Sequence, residues 1–521
     1  MYELVTAAQM KQYDADTIHA IGIPAMVLME RAAAATAEEI RKRFPARSER
    51  TGAGKRQVLV VAGCGNNGGD GFAAGRILQE YGYPVSYVLI GDREKCSRET
   101  KVQISILERL GVTIGNGLTG QEEQREDARA ATGSYEIVID ALFGIGLSRE
   151  VTGRFQEAIA FINKTGAYVV SADIPSGIHA DTGKVMGMAV RADLTVTYGY
   201  RKLGLFLYPG AEYAGTVLCK KIGISRREGL EAPEAYAYEP SDLRRLPVRR
   251  KDGNKGSFGK VLVIAGSAGM YGACQFAALG AYRAGAGLVR VITAKENREL
   301  LLSAVPEALI DTYGVTFPQE ALESALSWAD CVVIGPGLGT DMQACRLMEY
   351  VWKHCRLPLI VDADGLNILS EHDNWIDRAA EPGREVWLTP HMGELSRLTK
   401  KSIKCCKEEM LSTVREYAAA HQLVVVGKDA RTVVGGPTGE LYINTSGNDG
   451  MATGGSGDVL AGLLAGLVAQ GMRGMDAACM AVYVHGLAGD GAAARQSAYC
   501  MMAGDLLREL PRVFTKGGNV R

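Results

Sequence analysis

The sequence carries almost no excess charge of either sign. Its 58 lysines and arginines are matched by 59 aspartates and glutamates, so the formal net charge is −1 at pH 7 over 521 residues. Nucleic acids and anionic membranes attract proteins through concentrated basic charge. We therefore expect neither a nucleic acid nor a membrane among the partners.

Long apolar runs and ordered cysteine spacings are also missing. The longest apolar candidate, residues 459–468, is interrupted by glycine and is shorter than the roughly 20 residues of a membrane span. Residues 1–20 are polar and carry no signal-peptide core. The 11 cysteines are scattered, odd in number and without metal-site spacing. These features predict reduced thiols and a cytoplasmic location.

Glycine, in contrast, is abundant, and the chain is too long for a single core. The 64 glycines allow tight backbone approaches to ligands. A chain of 521 residues is expected to form two or more domains. A segment rich in Arg, Glu and Pro without periodicity separates two blocks. We predict a first domain over residues 1–225, a linker over 226–240 and a second domain over 241–521.

Both blocks alternate short apolar runs with helical patterns. This predicts α/β domains with mainly parallel sheets covered on both faces, which bind ligands at the carboxyl ends of the strands. The predicted helices include residues 7–22, 26–44, 72–81, 99–110 and 273–284. Strands of the first block are predicted at 58–62, 85–90, 137–142, 168–172, 194–198 and 216–222. Strands of the second block are predicted at 261–265, 288–293, 331–334, 359–362, 386–389, 423–426, 432–434 and 441–444.

A glycine-rich loop follows the first predicted strand. Residues 63–71 read Gly-Cys-Gly-Asn-Asn-Gly-Gly-Asp-Gly. The glycines permit a sharp turn with exposed N–H groups, while Asn66, Asn67 and Asp70 add amide and carboxylate groups. A purely structural turn does not require two asparagines and an aspartate among five glycines. We interpret the loop as part of a ligand site.

Two further strand ends of the first block carry aspartate. Asp140 lies in one predicted strand end, and Asp173 follows another in the sequence Asp-Ile-Pro-Ser-Gly. Helix capping is the common explanation for any single aspartate, but several such ends in one sheet favour a site. The side-chain oxygens of Asn67, Asp140 and Ser176 suit a hard monovalent or divalent cation.

The first block resembles the NAD(P)H-hydrate epimerase domain over about residues 1–225. The resemblance is carried by Met29-Glu30 and residues 66–71, 140–147 and 173–177. It implies a Rossmann-like three-layer fold that interconverts the R and S forms of hydrated NADH and NADPH, with acid–base help from Asp173. The implied K⁺ ligands are Asn67, Asp140 and Ser176. The implied substrate contacts are Asn66, Asn67, Gly68, Gly69, Asp70, Gly144, Ile145, Gly146, Leu147, Ser148, Arg149, Glu150 and Asp173.

The most informative segment of the second block is residues 451–460, Met-Ala-Thr-Gly-Gly-Ser-Gly-Asp-Val-Leu. Gly454, Gly455 and Gly457 can bring N–H groups to an anion, and the helix that follows adds the positive end of its dipole. Asp458 is then placed to take a proton from a hydroxyl that attacks phosphorus. The alternative is a glycine-rich helix start in which Asp458 is an ordinary N-terminal charge.

Other predicted strand ends of this block carry small, acidic or basic residues, at 335–339, 362–364, 389–394 and 428–432. A histidine alone is more often a satisfied polar residue than a ligand, but the place of His391 between Pro390 and Gly393 at a strand end makes the two interpretations equal. Glu394 is a candidate to help hold Mg²⁺ through water.

The second block resembles the ADP-dependent NAD(P)H-hydrate dehydratases of the ribokinase-like superfamily over about residues 240–515. Residues 389–394 and 453–462 carry the resemblance most specifically. The implied contacts to hydrated NAD(P)H are Ala273, Gly337, Gly339, His391 and Asp458. The implied nucleotide contacts are Lys428, Asp429, Ala430, Arg431, Thr432 and Gly457. Asp429 departs from the family, which usually has glycine there, and adds negative charge near the nucleotide.

Together the two resemblances imply a bifunctional repair enzyme. It would epimerise hydrated NADH and NADPH in a K⁺-dependent first domain. In the second domain it would dehydrate the S form with ADP and Mg²⁺, giving AMP and phosphate. A homo-oligomer is expected. The alternatives are a vitamin or sugar kinase with an accessory Rossmann-like binding domain, and a non-catalytic binding or scaffolding role for the first block.

Overall fold

The computed structural model describes residues 1–46, 56–117, 135–314, 317–372 and 374–516. The chain divides into two compact units, Glu3–Glu234 and a larger one formed by Met1–Tyr2 with Ala235–Arg521. This boundary falls inside the predicted linker, which contains the short strand Ala235–Ala237. Within the described ranges, no helix is both long and apolar enough to cross a membrane.

The smaller unit alternates strands and helices as predicted. Its helices are α1 (Ala7–Asp16), α2 (Ala25–Arg43), α3 (Asn66–Glu80), α4 (Arg98–Arg109), α5 (Arg154–Lys164) and α6 (Gly210–Tyr213), and a π-helical turn (Thr17–Ile21) extends α1. The strands are β1 (Tyr2–Val5, of which Tyr2 belongs to the larger unit), β2 (Val58–Ala62), β3 (Val85–Leu89), β4 (Ile114–Asn116), β5 (Ile137–Ala141), β6 (Tyr168–Ala172), β7 (Leu194–Tyr198), β8 (Arg201–Lys202) and β9 (Thr216–Lys220).

Seven of these strands form a parallel sheet in the order β4-β3-β2-β5-β6-β7-β9. Val58 and Val60 pack in a core with α2 and α3, whereas Leu59 and Val61 pack on the opposite face with α5. Alternate strand residues therefore enter two separate cores, which confirms a sheet covered on both faces. The strand order reverses between β2 and β5, and ligands of such sheets bind at this switch point.

The glycine loop after β2 is more helical than predicted. The sequence predicts a sharp turn over residues 63–71 and a helix from residue 72, but α3 begins at Asn66. Glycine is a poor helix former, but it is required in this helix because the neighbouring backbone and side chains leave no room for a Cβ. A Cβ at Gly68 would collide with the backbone of Gly63, and one at Gly71 would collide with Ala141. The asparagines and the aspartate thus lie in the first turns of a helix.

The larger unit repeats the alternation. Its helices are α7 (Tyr271–Arg283), α8 (Arg298–Ala304), α9 (Gln319–Trp328), α10 (Met342–His354), α11 (Asp364–Ser370), α12 (Met392–Thr399), α13 (Ile403–Glu408), α14 (Met410–His421), α15 (Ser456–Ala469), α16 (Gly474–Gln496) and α17 (Ala503–Lys516). The strands are β10 (Ala235–Ala237), β11 (Lys260–Ile264), β12 (Leu288–Ala294), β13 (Leu309–Tyr313), β14 (Cys331–Ile334), β15 (Leu359–Val361), β16 (Val386–Leu388), β17 (Val424–Gly427), β18 (Val433–Gly435) and β19 (Leu441–Ile443).

These strands pair in the order β13-β12-β11-β14-β15-β16-β17-β18-β19-β10. The sheet is parallel from β13 to β17, and β18 is antiparallel to both of its neighbours. The order reverses between β11 and β14, so this unit also has a switch point. The prediction of an α/β protein with mainly parallel sheets is confirmed.

Close packing of α7 against α15 positions the glycine segment at residues 454–457. A Cβ at Gly280 would lie 2.6 Å from the carbonyl oxygen of Val459. A Cβ at Gly462 would collide with the backbone of Ala277. Glycine at both positions lets the two helix backbones approach, which fixes the N-terminus of α15 beside the sheet.

Candidate active sites

The smaller unit contains a cavity of about 610 Å³ at the carboxyl ends of β2 and β5. The predicted substrate contacts that line it are Asn66, Asn67, Asp70, Gly144, Ile145, Gly146, Leu147, Ser148, Arg149 and Asp173. Gly68 and Gly69 lie in the buried face of α3 instead, where a Cβ at Gly69 would collide with Met29. Glu150 is exposed and is not part of the lining.

Asp173 is held in the cavity wall by a buried lysine. Lys202 is 1% exposed, and its Nζ donates to Asp173 Oδ1 at 2.6 Å. The hydroxyl of Thr197 and the N–H of Tyr198 donate to the same oxygen at 3.1 and 3.3 Å. The backbone of Asp173 has a φ of 65°, and such strain in a non-glycine residue is concentrated at functional sites. The carboxylate is therefore fixed in position before a ligand binds.

Two further carboxyl groups, Asp14 and Asp70, line the same cavity. Burial, and then the neighbouring charges of Asp173 and Asp14, raise the pKa of Asp70 well above its ordinary value. Burial also raises the pKa of Asp14, while Lys202 opposes the rise. A protonated carboxyl beside a carboxylate is an arrangement that supplies both an acid and a base.

Oxygen atoms of the predicted cation ligands converge next to the cavity. Asp140 is fully buried and accepts from the N–H of Ser176 at 2.9 Å and from the hydroxyl of Ser171 at 2.7 Å. Asn67 Nδ2 donates to the carbonyl of Phe143 at 2.9 Å, and the Ser176 hydroxyl accepts from the N–H of Phe143 at 2.9 Å.

Within the described residues, one oxygen of this cluster lacks a hydrogen-bond donor and one carboxylate lacks a positive partner. Asn67 Oδ1 is buried and accepts no hydrogen bond within the described residues. Burial raises the pKa of Asp140, and no ion pair to its carboxylate forms within the same ranges. Buried carboxylates are expected to be paired or to coordinate a metal ion. A bound cation would satisfy both atoms, so the donor set fits K⁺.

In the larger unit, three adjacent strands place polar side chains at one edge of the sheet. Asp362, Thr389 and Lys428 directly follow β15, β16 and β17, which are neighbours in the sheet. Lys428 Nζ and the Thr389 hydroxyl both donate to Asp362 Oδ1, at 2.8 and 2.7 Å. Ala363, between two aspartates, has a φ of 51°. This is the second strained position at a strand end.

The N-terminus of α15 lies against this cluster. Gly455, with a φ of 90°, precedes the helix, and a Cβ there would lie 2.6 Å from the ring of Phe276. A Cβ at Gly457 would lie 3.2 Å from Lys428 Nζ. Burial, and then the charge of Asp362, raise the pKa of Asp458 to about 6, against the opposing charge of Lys428. Asp458 thus lies at a helix N-terminus beside a lysine, where an anion is favoured.

The predicted substrate contacts at the switch point of this unit also come together. A Cβ at Gly337 would lie 2.8 Å from the Cβ of Ala273, so the loop after β14 contacts the first turn of α7. The N–H of Gly339 donates to Asp364 Oδ2 at 2.8 Å. The negative charge of Asp364 in turn raises the pKa of Asp458. The loop after β14 and the start of α15 therefore bound one region of the unit.

His391 and Glu394 form a capping box at the start of α12. His391 Nδ1 accepts from the N–H of Gly393 at 3.0 Å, and Glu394 accepts from the N–H of His391 at 2.8 Å. Burial raises the pKa of Glu394 to about 7 and lowers that of His391. The side chain of His391 remains 56% exposed, and the residue pairs with Lys428 in an isolated β-bridge. His391 therefore both caps a helix and borders the Lys428 cluster.

The predicted nucleotide segment follows β17. Asp429 and Ala430 are exposed, whereas Arg431 and Thr432 are half-buried. Arg431 Nη1 donates to the carbonyl of Thr445 at 3.1 Å. The charge of Asp429 thus lies at the solvent-facing part of the segment.

Reasoning from sequence missed two residues of these sites, Lys202 and Asp14, and one pairing, that of Asp362 with Lys428. Lys202 follows a strand without a local motif, and a buried lysine has no signature in a single sequence. Asp14 lies in a predicted helix and belongs to no motif. Its only relation to the core is its position beside Met10 and Tyr13, which are buried residues of α1. Asp362 was noted at a strand end, but its pairing with Lys428 depends on the order of the strands.

Comparison with known proteins links each unit to one family model. The model of the YjeF-related protein N-terminus matches residues 25–204, and that of NAD(P)H-hydrate dehydratase matches residues 261–512. The bifunctional NAD(P)H-hydrate repair enzyme Nnr of Thermofilum pendens is 39% identical over 88% of this chain and 87% of its own length. That of Moorella thermoacetica is 36% identical over 98% and 96%. This chain belongs to the family of bifunctional NAD(P)H-hydrate repair enzymes.

Solved structures also resemble the second part of the chain. An ADP/ATP-dependent NAD(P)H-hydrate dehydratase from Bacillus subtilis, co-crystallised with ATP and Mg²⁺, is 28% identical with a TM-score of 0.47. It covers 54% of this chain and 99% of its own. A ribokinase-like superfamily protein from Enterococcus faecalis is 30% identical with a TM-score of 0.49 and covers 56% of this chain and 99% of its own.

Proposed function

We propose that the chain repairs hydrated NADH and NADPH in two reactions, one in each unit. The smaller unit epimerises the R and S forms, and the larger unit dehydrates the S form with ADP as phosphoryl donor. The observation that carries this proposal is that each of the two family models matches residues of only one unit. The epimerase-type match, residues 25–204, lies within the smaller unit, and the dehydratase match, residues 261–512, lies within the larger one.

Dehydration begins with the ring hydroxyl of the substrate. Asp458 removes the hydroxyl proton while the oxygen attacks the terminal phosphorus of ADP, so an O–P bond forms and AMP leaves. The N–H groups at the start of α15 and the ammonium of Lys428 stabilise charge on the transferred phosphoryl group. Phosphate then leaves with the C–O bonding electrons as the ring nitrogen donates its lone pair. Loss of a proton from the neighbouring carbon restores the dihydropyridine.

Mg²⁺ in this unit would be held mainly by the nucleotide. Within the described residues, no three His, Cys, Asp or Glu side chains are arranged to hold a metal ion. Mg²⁺ is commonly bound through one or two carboxylates, water and substrate phosphates. Asp362 and Glu394 are carboxylates close to Lys428 that fit this role, through water. The ion would supply positive charge to the phosphates during transfer.

Epimerisation requires reversible loss of the hydroxyl group from the ring carbon. Asp70, whose pKa is raised by burial and by the neighbouring carboxylates, donates a proton to the departing hydroxyl. The hydroxyl leaves as water while the ring nitrogen forms an iminium cation. The carboxylate of Asp173, fixed by Lys202, stabilises that cation and accepts a proton when water returns on the opposite face. K⁺ held by Asn67, Asp140 and Ser176 would supply a fixed positive charge beside the loop that binds the substrate.

The cation cluster gives a prediction for Asp140→Asn, which keeps the size of the side chain and removes its charge. We expect the K⁺ concentration for half-maximal epimerisation to rise roughly tenfold or more, because one close charge contact of about 1–4 kcal/mol is lost. The measurement is the epimerisation rate against K⁺ concentration at constant ionic strength, with Na⁺ as the balancing ion. An unchanged K⁺ response would show that Asp140 is structural.

The raised pKa of Asp458 gives a prediction for pH. A general base must be ionised, and burial with neighbouring carboxylates raises the pKa of this group to about 6. We therefore expect kcat/KM for dehydration to decrease as the pH falls through about 6, tenfold per pH unit at the acidic end. Asp458→Asn should lack this step in its residual activity. A rate independent of pH between about 5 and 7 would contradict the assignment.

One incubation tests the two reactions together. Pure R-hydrated NADH is mixed with the full-length protein and K⁺, without a nucleotide. We expect the S form to appear and no NADH to form. Addition of ADP and Mg²⁺ should then convert both forms to NADH. If the S form does not appear in the first stage, the proposed role of the smaller unit is wrong, and if NADH does not form in the second, that of the larger unit is wrong.

A further inference from the structure

Two cysteine thiols lie together beside the cavity of the smaller unit, and neither takes part in the proposed reactions. Cys64 is half-buried and lines the cavity, whereas Cys96 is buried at the start of the segment that leads into α4. Both thiols donate to the same acceptor, the carbonyl of Asp92, at 3.3 Å from Cys64 Sγ and 3.8 Å from Cys96 Sγ. A shared acceptor places the two sulfur atoms close to each other.

The backbones of the two segments are held together independently of the thiols. The N–H of Ser97 donates to the carbonyl of Cys64 at 2.8 Å, and the hydroxyl of Thr100 donates to the carbonyl of Gly65 at 2.9 Å. Disulfides join residues whose Cα atoms lie about 4.4–6.8 Å apart. A backbone hydrogen bond between Cys64 and the residue after Cys96 is compatible with that separation.

The surroundings also leave space for the Cys64 side chain. Gly91 has a φ of 146°, and a Cβ at this position would collide with the Cys64 sulfur. Glycine at position 91 therefore leaves the space that the Cys64 thiol occupies, and any larger residue there would fill it. Cys64 lies two residues before α3, next to the N-cap residue Gly65. Thiolates are favoured near helix N-termini.

We propose that Cys64 and Cys96 form an oxidation site for peroxides, at which the two thiols close to an intramolecular disulfide. The Cys64 thiolate attacks hydrogen peroxide, so an S–O bond forms, the O–O bond breaks, and the departing hydroxide takes a proton to become water. Cys96 Sγ then attacks Cys64 Sγ; the S–S bond forms, the S–O bond breaks, and a second water carries away the Cys96 proton. Two thiols are oxidised by two electrons, and one peroxide is reduced to two waters.

The order of the two steps follows from exposure and charge. Cys64 borders the cavity and is accessible to a small oxidant, whereas Cys96 is 7% exposed. Burial, and then the hydrogen bond to the Cys64 thiol, raise the pKa of Cys96 to about 12. Cys96 therefore remains a thiol at neutral pH and acts second, after Cys64 has become a sulfenic acid.

Peptide mapping of the full-length protein tests this site. The reduced protein is treated with hydrogen peroxide, alkylated, and digested with trypsin, which cleaves after Arg76 and Lys95 and so puts the two cysteines on separate peptides. We expect a linked pair of these peptides that has lost two hydrogens and is released by dithiothreitol. Cys96→Ser should instead accumulate a Cys64 sulfenic acid that is labelled by dimedone, at least tenfold more than in the unmodified chain.

The exposed Cys500 provides the matched control. Cys500→Ser should retain the linked pair in full, since this residue has no part in the site. The proposal is overturned if Cys64 keeps its thiol at peroxide concentrations that oxidise Cys500. It is also overturned if Cys64 proceeds to sulfinic acid without a link to Cys96, or if dimedone labels Cys64 equally with and without Cys96.

Discussion

Dehydration by the Asp458→Asn variant is expected to fall by a factor on the order of 10² or more, the scale for removal of a general base. Asparagine keeps the size of the side chain at the start of α15 but cannot accept the proton of the substrate hydroxyl. The N–H groups of the helix N-terminus, Lys428 and Asp362 remain in place. Epimerisation should be unchanged because the residues proposed for it lie in the other unit. Both rates are measured on the same preparation.

The matched control for this variant is Asp476→Asn. Asp476 also lies in the first turn of a helix, α16, but it is 60% exposed and pairs with Arg245 at 2.7 Å. If Asp458 acted only as an N-terminal charge, both substitutions would have similar small effects, of about 0.3–1 kcal/mol on stability. Near-normal dehydration by Asp458→Asn would exclude this residue as the base.

Epimerisation by the Asp173→Asn variant is expected to fall by a factor on the order of 10², while dehydration is retained. The substitution removes the charge proposed to stabilise the cation and to accept a proton. It also leaves Lys202, which is 1% exposed, without its carboxylate partner. Loss of one partner of a buried ion pair typically costs about 3–5 kcal/mol. The free energy of unfolding of the variant must therefore be measured along with its rate.

A double variant separates the two effects. Asp173→Asn combined with Lys202→Met removes both charges and should recover stability, because replacement of a complete buried pair by neutral residues is often tolerated. Epimerisation should stay low. Asp193→Asn is the matched control, since Asp193 caps the N–H of Val169 at 2.7 Å and does not line the cavity. Recovery of epimerisation in the double variant would show that Asp173 is only structural.

The central strands of both sheets could be predicted from sequence because each is a continuous apolar run. The predicted strands 58–62, 168–172, 194–198 and 331–334 have the same bounds in the structure. Of the five strands that were not predicted, β4 and β13 lie at sheet edges and contain Asn116 and Asp311. Edge strands are covered on fewer sides, so their sequences are less apolar and their pattern is weaker.

The positions of the sites could be predicted, but the pairing of their side chains could not. A parallel sheet places the carboxyl ends of its strands at the same edge. Asp140 and Asp173 were therefore expected at that edge of the first sheet, and Asp362 at that edge of the second. Lys202 belongs to the first site because β7 pairs with β6, so the residues after β7 bring Lys202 Nζ to Asp173. The approach of Lys428 Nζ to the backbone at Gly457 likewise depends on the packing of α15 against α7. Such partners are separated in the chain by tens of residues and have no local motif.

The nucleotide requirement of dehydration tests the account most directly. S-hydrated NADH is incubated with the full-length protein and Mg²⁺, and with ADP, ATP or no nucleotide, while the absorbance of reduced nicotinamide is followed. ADP and ATP differ by one phosphate, and misplacement of the reacting group by even about 1 Å can cost 10²-fold in rate. We predict rapid recovery with ADP, slow recovery with ATP and none without a nucleotide. Equal rates in all three would contradict dehydration by phosphorylation.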